Sequence, residues 1–135
     1  MIESIPNYFI IPFLFILGSI FGSFFNVVIY RLPNNKSIIM PASHCLNCKA
    51  SIKYKDNIPI LSYLLLGGKC RSCESPFSGR YLLVEILTAV MTICFYLIFG
   101  LNINFLMYLF LIYLLIPIMF IDIDHFIIPN EFILL

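Results

Sequence analysis

Residues 8–30, YFIIPFLFILGSIFGSFFNVVIY, carry no charged side chain, and their reading decides the fold. At a rise of about 1.5 Å per residue, roughly 20 helical residues cross a hydrocarbon core of about 30 Å, so the run predicts a transmembrane helix. The preceding Met-Ile-Glu-Ser has no basic region, and no small-residue cleavage site precedes Arg31, so the run reads as a span rather than a removed signal peptide. Within it Gly18 and Gly22 are four apart, as are Ser19 and Ser23. On a helix these make one stripe of small residues, a surface a neighbouring helix can approach closely. Asn26 further along needs a hydrogen-bond partner in lipid and should face protein.

Two more apolar runs follow. Residues 81–99 are interrupted only by Glu85, and residues 105–121 end just before Asp122. Gly100-Leu-Asn-Ile-Asn104 between them reads as a short turn, and Pro117 as a site of kinking because it removes an intrahelical hydrogen bond. Beyond Pro129, Asn130 and Glu131 have the character of an N-cap and a first-turn acid, the beginning of a fourth helix. The expected fold is therefore an all-α integral membrane protein. It has three transmembrane helices plus the start of a fourth, and the stop after Leu135 reads as truncation.

Composition agrees. Of 135 residues, 61% are hydrophobic and 11% charged, against roughly 45–50% and about 25% in soluble proteins. The mean hydropathy is +1.01. All eight Lys and Arg lie between Arg31 and Arg80. A basic block can mark nucleic-acid binding, but this one is flanked by membrane spans and contains Asp56 and Glu74, so no nucleic acid is expected. The positive-inside rule places it in the cytoplasm, with the N-terminus outside and Asp122 back on the cytoplasmic face. The chain divides into a first transmembrane helix (1–30), a cytoplasmic loop (31–80) and a helical membrane portion (81–135). The basic loop also has the charge to hold anionic lipid.

That loop contains Cys45-Leu-Asn-Cys48 and Cys70-Arg-Ser-Cys73. Two CxxC pairs can present four thiolates to one tetrahedral ion, the usual structural zinc arrangement, and a reducing compartment argues against disulfides. Dithiol redox chemistry, another thiophilic metal and free thiols are the alternatives. Lys49, Lys69 and Arg71 would offset the negative charge of a zinc ion held by four thiolates. A closed shell of four cysteines has no open position, so its expected role is scaffolding. His44 reads as a loop residue rather than a ligand, and Cys94 in the second span as a small packing residue.

Asp122, Asp124 and His125 stand at the end of the third span. Ionisable groups at membrane depth are functional candidates, while acids at an interfacial helix end simply meet water. Asp122 and Asp124 do not form a dyad together, because residues two apart on a helix diverge by about 200°, and a shared proton needs carboxyls roughly 3 Å apart. Glu85 and Asn26 could face a shared cavity, or Glu85 could pair with Arg80 or Arg31.

Taken together these segments resemble the bacterial prepilin peptidases, or type IV leader peptidases. The resemblance is carried by residues 22–33 (GSFFNVVIYRLP), residues 57–70 (NIPILSYLLLGGKC), both CxxC pairs, residues 78–85 (SGRYLLVE), and Asp122 seven residues before Pro129. It implies an inner-membrane aspartic endopeptidase that cleaves prepilin leaders at the cytoplasmic face and methylates the new N-terminus with S-adenosylmethionine. Asp122 would be one of two catalytic aspartates, Cys45, Cys48, Cys70 and Cys73 the zinc ligands, and Asp124 at most a supporting residue. The family's second aspartate lies in a Gly-x-Gly-Asp motif, which this sequence lacks. The resemblance thus covers an N-terminal half, expected to be inactive alone unless a second chain supplies that motif. The competing expectation is a non-catalytic, membrane-anchored zinc module that binds pilus or secretion assembly partners.

Overall fold

The computed structural model describes residues 5–125. The expected fourth-helix start at Asn130, together with Pro129, lies outside the described residues. Three long helices form the body: α1, Asn7–Arg31; α3, Gly79–Phe99; and α4, Ile103–His125. Each is long and apolar enough to cross a membrane. A loop joins α1 to α3 and carries a 3-10 turn at Tyr54–Asp56 and one short helix, α2, Leu61–Leu65. Among the described residues there is no strand, only two isolated bridges, His44 to Ser51 and Lys69 to Pro76.

Local chemistry fixes the helix ends. At the end of α1, Asn34 Nδ2 donates to the Tyr30 carbonyl (2.6 Å), and Asn35 turns the chain with φ 54°. Ser78 caps α3 by accepting from the Arg80 N–H (3.2 Å). Gly100, with φ 69°, ends that helix where a side chain would be strained. Asn102 then caps α4 through the Phe105 N–H (3.0 Å). The connection predicted over 100–104 is therefore shorter, and α4 runs on through Asp122 to His125, four residues past its expected end.

The small-residue stripe of α1 meets α3. A Cβ on Gly18 would lie 2.7 Å from Ala89 Cα, and one on Gly22 2.7 Å from Glu85 Cα, so the two backbones touch there. Thr88 and Thr92 are fully buried at this crossing and return their hydroxyls to the Val84 and Thr88 carbonyls. Phe25, Ile29, Val84, Ile116, Phe120 and Ile121 form the core at the loop end of the bundle. Ile10, Leu14, Tyr96 and Phe105 form a second core at the other end. The remaining faces are apolar and uncovered, including Phe13, Ile16, Ile20, Leu97, Leu106 and Phe110. An apolar outer face is what lipid accepts and water does not. Cys94 belongs to these faces, exposed on α3 rather than packed inside.

Candidate metal centre and acidic site

The two CxxC segments fold as one motif used twice. In the first, the Cys45 N–H donates to the Ala50 carbonyl (3.0 Å) and the Lys49 N–H to the Cys45 carbonyl (2.9 Å). In the second, the Cys70 N–H donates to the Ser75 carbonyl (3.0 Å) and the Glu74 N–H to the Cys70 carbonyl (3.0 Å). Lys49 and Glu74 occupy matching left-handed positions, each with φ 58°. This turn aims both thiols of a segment toward the other segment.

All four Sγ atoms lie within 4.8 Å of one another. Across the segments, Cys45 and Cys73 are 3.7 Å apart and Cys48 and Cys70 3.8 Å. A tetrahedral ion with metal–sulfur bonds of about 2.3 Å sets its sulfurs about 3.8 Å apart, so the cluster has the dimensions to hold one metal ion. His44 is outside it, its Nδ1 3.2 Å from the Ala42 carbonyl.

Electrostatics within the cluster are uneven. Ser75 sits between the segments, its hydroxyl 3.0 Å from Cys73 Sγ and 3.6 Å from Cys45 Sγ. Its hydroxyl and N–H, helped by the Asn47 amide, pull the Cys73 thiol down to about 5. Cys45 is also lowered, by the Cys48 N–H first and then by the Ser75 hydroxyl. The Ala50 N–H pulls Cys48 down, but burial and the three neighbouring sulfurs outweigh it and push that thiol up to about 11. Four thiolates this close do not all ionise without a cation, and a bound divalent ion removes the conflict. Ser75 and Asn47 carry no motif of their own; overlaying the two segments at their cysteines is the sequence signal that singles out position 75 opposite Ala50.

Beyond the sulfurs, Arg71 and Asp56 make a two-pronged ion pair (Nε to Oδ2 2.8 Å, Nη2 to Oδ1 2.7 Å). It ties the 3-10 turn to the second CxxC segment, and the guanidinium holds the Asp56 carboxyl below its usual range. Between this loop and the membrane helices runs a groove of about 1430 Å3. Asn26 and Glu85 both line it, yet both are engaged: Asn26 Nδ2 donates to the Tyr81 carbonyl (3.0 Å), and Glu85 Oε2 accepts from the Ile60 N–H (2.7 Å). Glu85 thus pairs with neither Arg80 nor Arg31. Arg31 donates instead to the Ser37 carbonyl (3.1 Å).

Arg80 reaches α4, where it pairs with Asp124 and lies over the Phe120 ring, 5.2 Å from its centroid. Asp122 is exposed in the last turn of α4 and makes no ion pair among the described residues. The two aspartates therefore diverge, Asp124 being committed to α3.

Comparison with known proteins follows the same residues. The pattern of a family described as the bacterial peptidase A24 N-terminal domain matches residues 16–99. A prepilin leader peptidase/N-methyltransferase of Myxococcus xanthus is 44% identical over 130 residues, covering 94% of this chain and 39% of the relative. Proteins of the same name from Legionella pneumophila and Aeromonas hydrophila are 38% and 34% identical. The alignments cover 82% and 92% of this chain, and 46% and 50% of those relatives. The chain thus spans half or less of the length of these relatives. No solved structure matches. With the paired CxxC segments and the close α1–α3 crossing inside the matched residues, this multi-pass inner-membrane chain belongs to the bacterial peptidase A24 N-terminal domain family.

Proposed function

We propose that this chain serves as the N-terminal part of a prepilin leader peptidase/N-methyltransferase. Asp122 supplies one of the two carboxylates, and a Gly-x-Gly-Asp segment outside these 135 residues supplies the other. The observation that carries the reading is the exposed Asp122 carboxylate at the end of α4, without an ion-pair partner among the described residues while its neighbour Asp124 is tied to Arg80. One carboxylate of such a pair takes a proton from water as the water attacks the scissile carbonyl, and the other, protonated, donates to the carbonyl oxygen. Neither half works alone.

The loop lies on the cytoplasmic side in this reading, supported by the confinement of all eight Lys and Arg to residues 31–80, and the N-terminus lies outside. Cys45, Cys48, Cys70 and Cys73 would hold a structural zinc ion, which when bound cross-links the two CxxC segments. Methylation of the freed amine rests on the word N-methyltransferase in the names of the relatives, and S-adenosylmethionine as its donor on the family resemblance of the sequence alone. Asn26 and Glu85, the polar pair of the groove, are held by backbone partners and are assigned no part in it.

The test is cleavage of a prepilin in lipid vesicles. The chain alone leaves the substrate intact; adding a membrane fragment with Gly-x-Gly-Asp restores cleavage, and Asp122→Asn abolishes it. Cleavage by the unaided chain, or cleavage that survives Asp122→Asn, overturns the assignment. Prepilin bound but never cut, with the fragment present, returns the chain to a membrane-anchored binding module.

A further inference from the structure

The loop between α1 and α3 contains a stretch whose surface does not suit water. On residues 58–66, Ile58, Leu61, Leu64 and Leu65 are all exposed, Leu65 to 77%. Leu61, Leu64 and Leu65 are spaced i, i+3 and i+4, one face of α2. The opposite face is packed, with the Tyr63 ring against Gly68 and its hydroxyl donating to the Phe77 carbonyl (3.4 Å).

Three features give this face its surroundings. The first is depth. Glu85 lies six residues into α3, about 9 Å along an axis whose whole length of about 31 Å matches the hydrocarbon core. Its side chain leans back toward the helix start, as helical side chains do, and takes the Ile60 N–H at 2.7 Å. The stretch is thus fastened to a point inside a membrane span. Ile60 is the centre of a tight turn, φ 63° and ψ −55°, closed by the Leu61 N–H to the Pro59 carbonyl (2.6 Å). That conformation is rare for a β-branched residue.

The second is backbone satisfaction. The N–H groups of Ser62, Leu64, Leu66, Gly67, Gly68 and Lys69 all donate to carbonyls within residues 58–66. With Ile60 given to Glu85 and Leu61 to Pro59, little of this backbone asks for water, the condition lipid contact imposes. The third is continuity. Ile16, Ile20 and Phe24, an exposed apolar stripe of α1, line the same groove as Leu61 and Leu64. Apolar side chains of the span and of α2 thus share one groove.

We propose that residues 58–66 form a re-entrant shoulder inserted in the lipid at the boundary between headgroups and acyl chains, with the leucine face of α2 outward. Interfacial helices bury an apolar face to about 5–10 Å, the depth that Glu85 sets. The shoulder seats the paired CxxC segments against the bilayer surface, and it does so whether or not the chain takes part in cleavage.

The sequence contains no tryptophan, so a single substitution introduces a unique fluorophore. The full chain is placed in phosphatidylcholine/phosphatidylglycerol vesicles carrying bromine at defined acyl positions. Leu65→Trp and Leu61→Trp should give blue-shifted emission, quenched most by bromines near the glycerol end and little by aqueous iodide. Tyr54→Trp, at a side chain 98% exposed on the 3-10 turn, should behave oppositely. Iodide quenching of both leucine variants to the level of Tyr54→Trp would overturn the proposal. Blue-shifted emission that neither bromolipid nor iodide quenches overturns it as well, because the face is then covered by protein.

Discussion

A serine outside the four-cysteine set shapes the candidate metal centre. Ser75 places one hydroxyl between thiols of the two CxxC segments, and it is the main cause of the low Cys73 value near 5. Partners of this kind typically contribute about 10–100-fold to metal affinity. Ser75→Ala should therefore weaken zinc binding by about that factor, read by competition with a chromophoric chelator. Ser72→Ala, at an exposed position in the same segment, should leave it unchanged. The four cysteines were legible because CxxC fixes both residue type and spacing. Ser75 was not, because its place depends on the turn after the cysteines, where the equivalent residue of the first segment is Ala50. Asp122 shows the same limit. Its divergence from Asp124 could be expected from a spacing of two on a helix, but became concrete only with Arg80, distant in the chain and drawn to α4 by the packing of α3.

Among elements, the α1–α3 crossing carries the tightest packing. With 2.7 Å between an added Cβ on Gly22 and Glu85 Cα, the obstacle is backbone and cannot rotate away. Gly22→Ala must separate the helices by some tenths of an ångström or more, and overpacking of this kind costs about 1–3 kcal/mol. Unfolding in mixed micelles, followed by circular dichroism, should show that loss. Ile20→Ala, on the exposed face of the same helix, should cost far less. A larger effect from Ile20→Ala would mean that this close approach is not what holds α1 to α3. The stripe itself was visible at four-residue spacing, as were all three spans. Which helix it meets was not, because any apolar helix of the chain could have supplied the partner face. Helix ends moved for local reasons. The Asn102 cap set the start of α4, and the hydrophobic run gave no sign that the helix would continue past Ile121 to carry Asp122 in its last turn.

At the scale of the molecule, two parts are held together by different forces. The helices bury at most a third of each candidate span against one another, and their uncovered apolar faces suit lipid, in which a helix needs no water-driven core. The loop has no such support. Among its described residues, 32–78, only Cys45, Gly68 and Cys70 are buried, so the sulfur cluster stands where a soluble domain would have its apolar core. For a segment of this kind the free energy of metal binding is the free energy of folding. Stripping the metal with a strong chelator should therefore abolish amide-exchange protection across residues 43–52 and 69–77 while α1, α3 and α4 keep theirs. Far-UV circular dichroism, dominated by the three long helices, should fall only slightly. The shoulder at 58–66 gives the experiment an internal divide, because Ile60 is fastened to Glu85 rather than to the cluster. Its amides should exchange more slowly in the stripped protein than those of residues 45–50 and 70–75. Equal loss across the loop would show that the sulfurs alone order it, and equal retention would show that they are not its core.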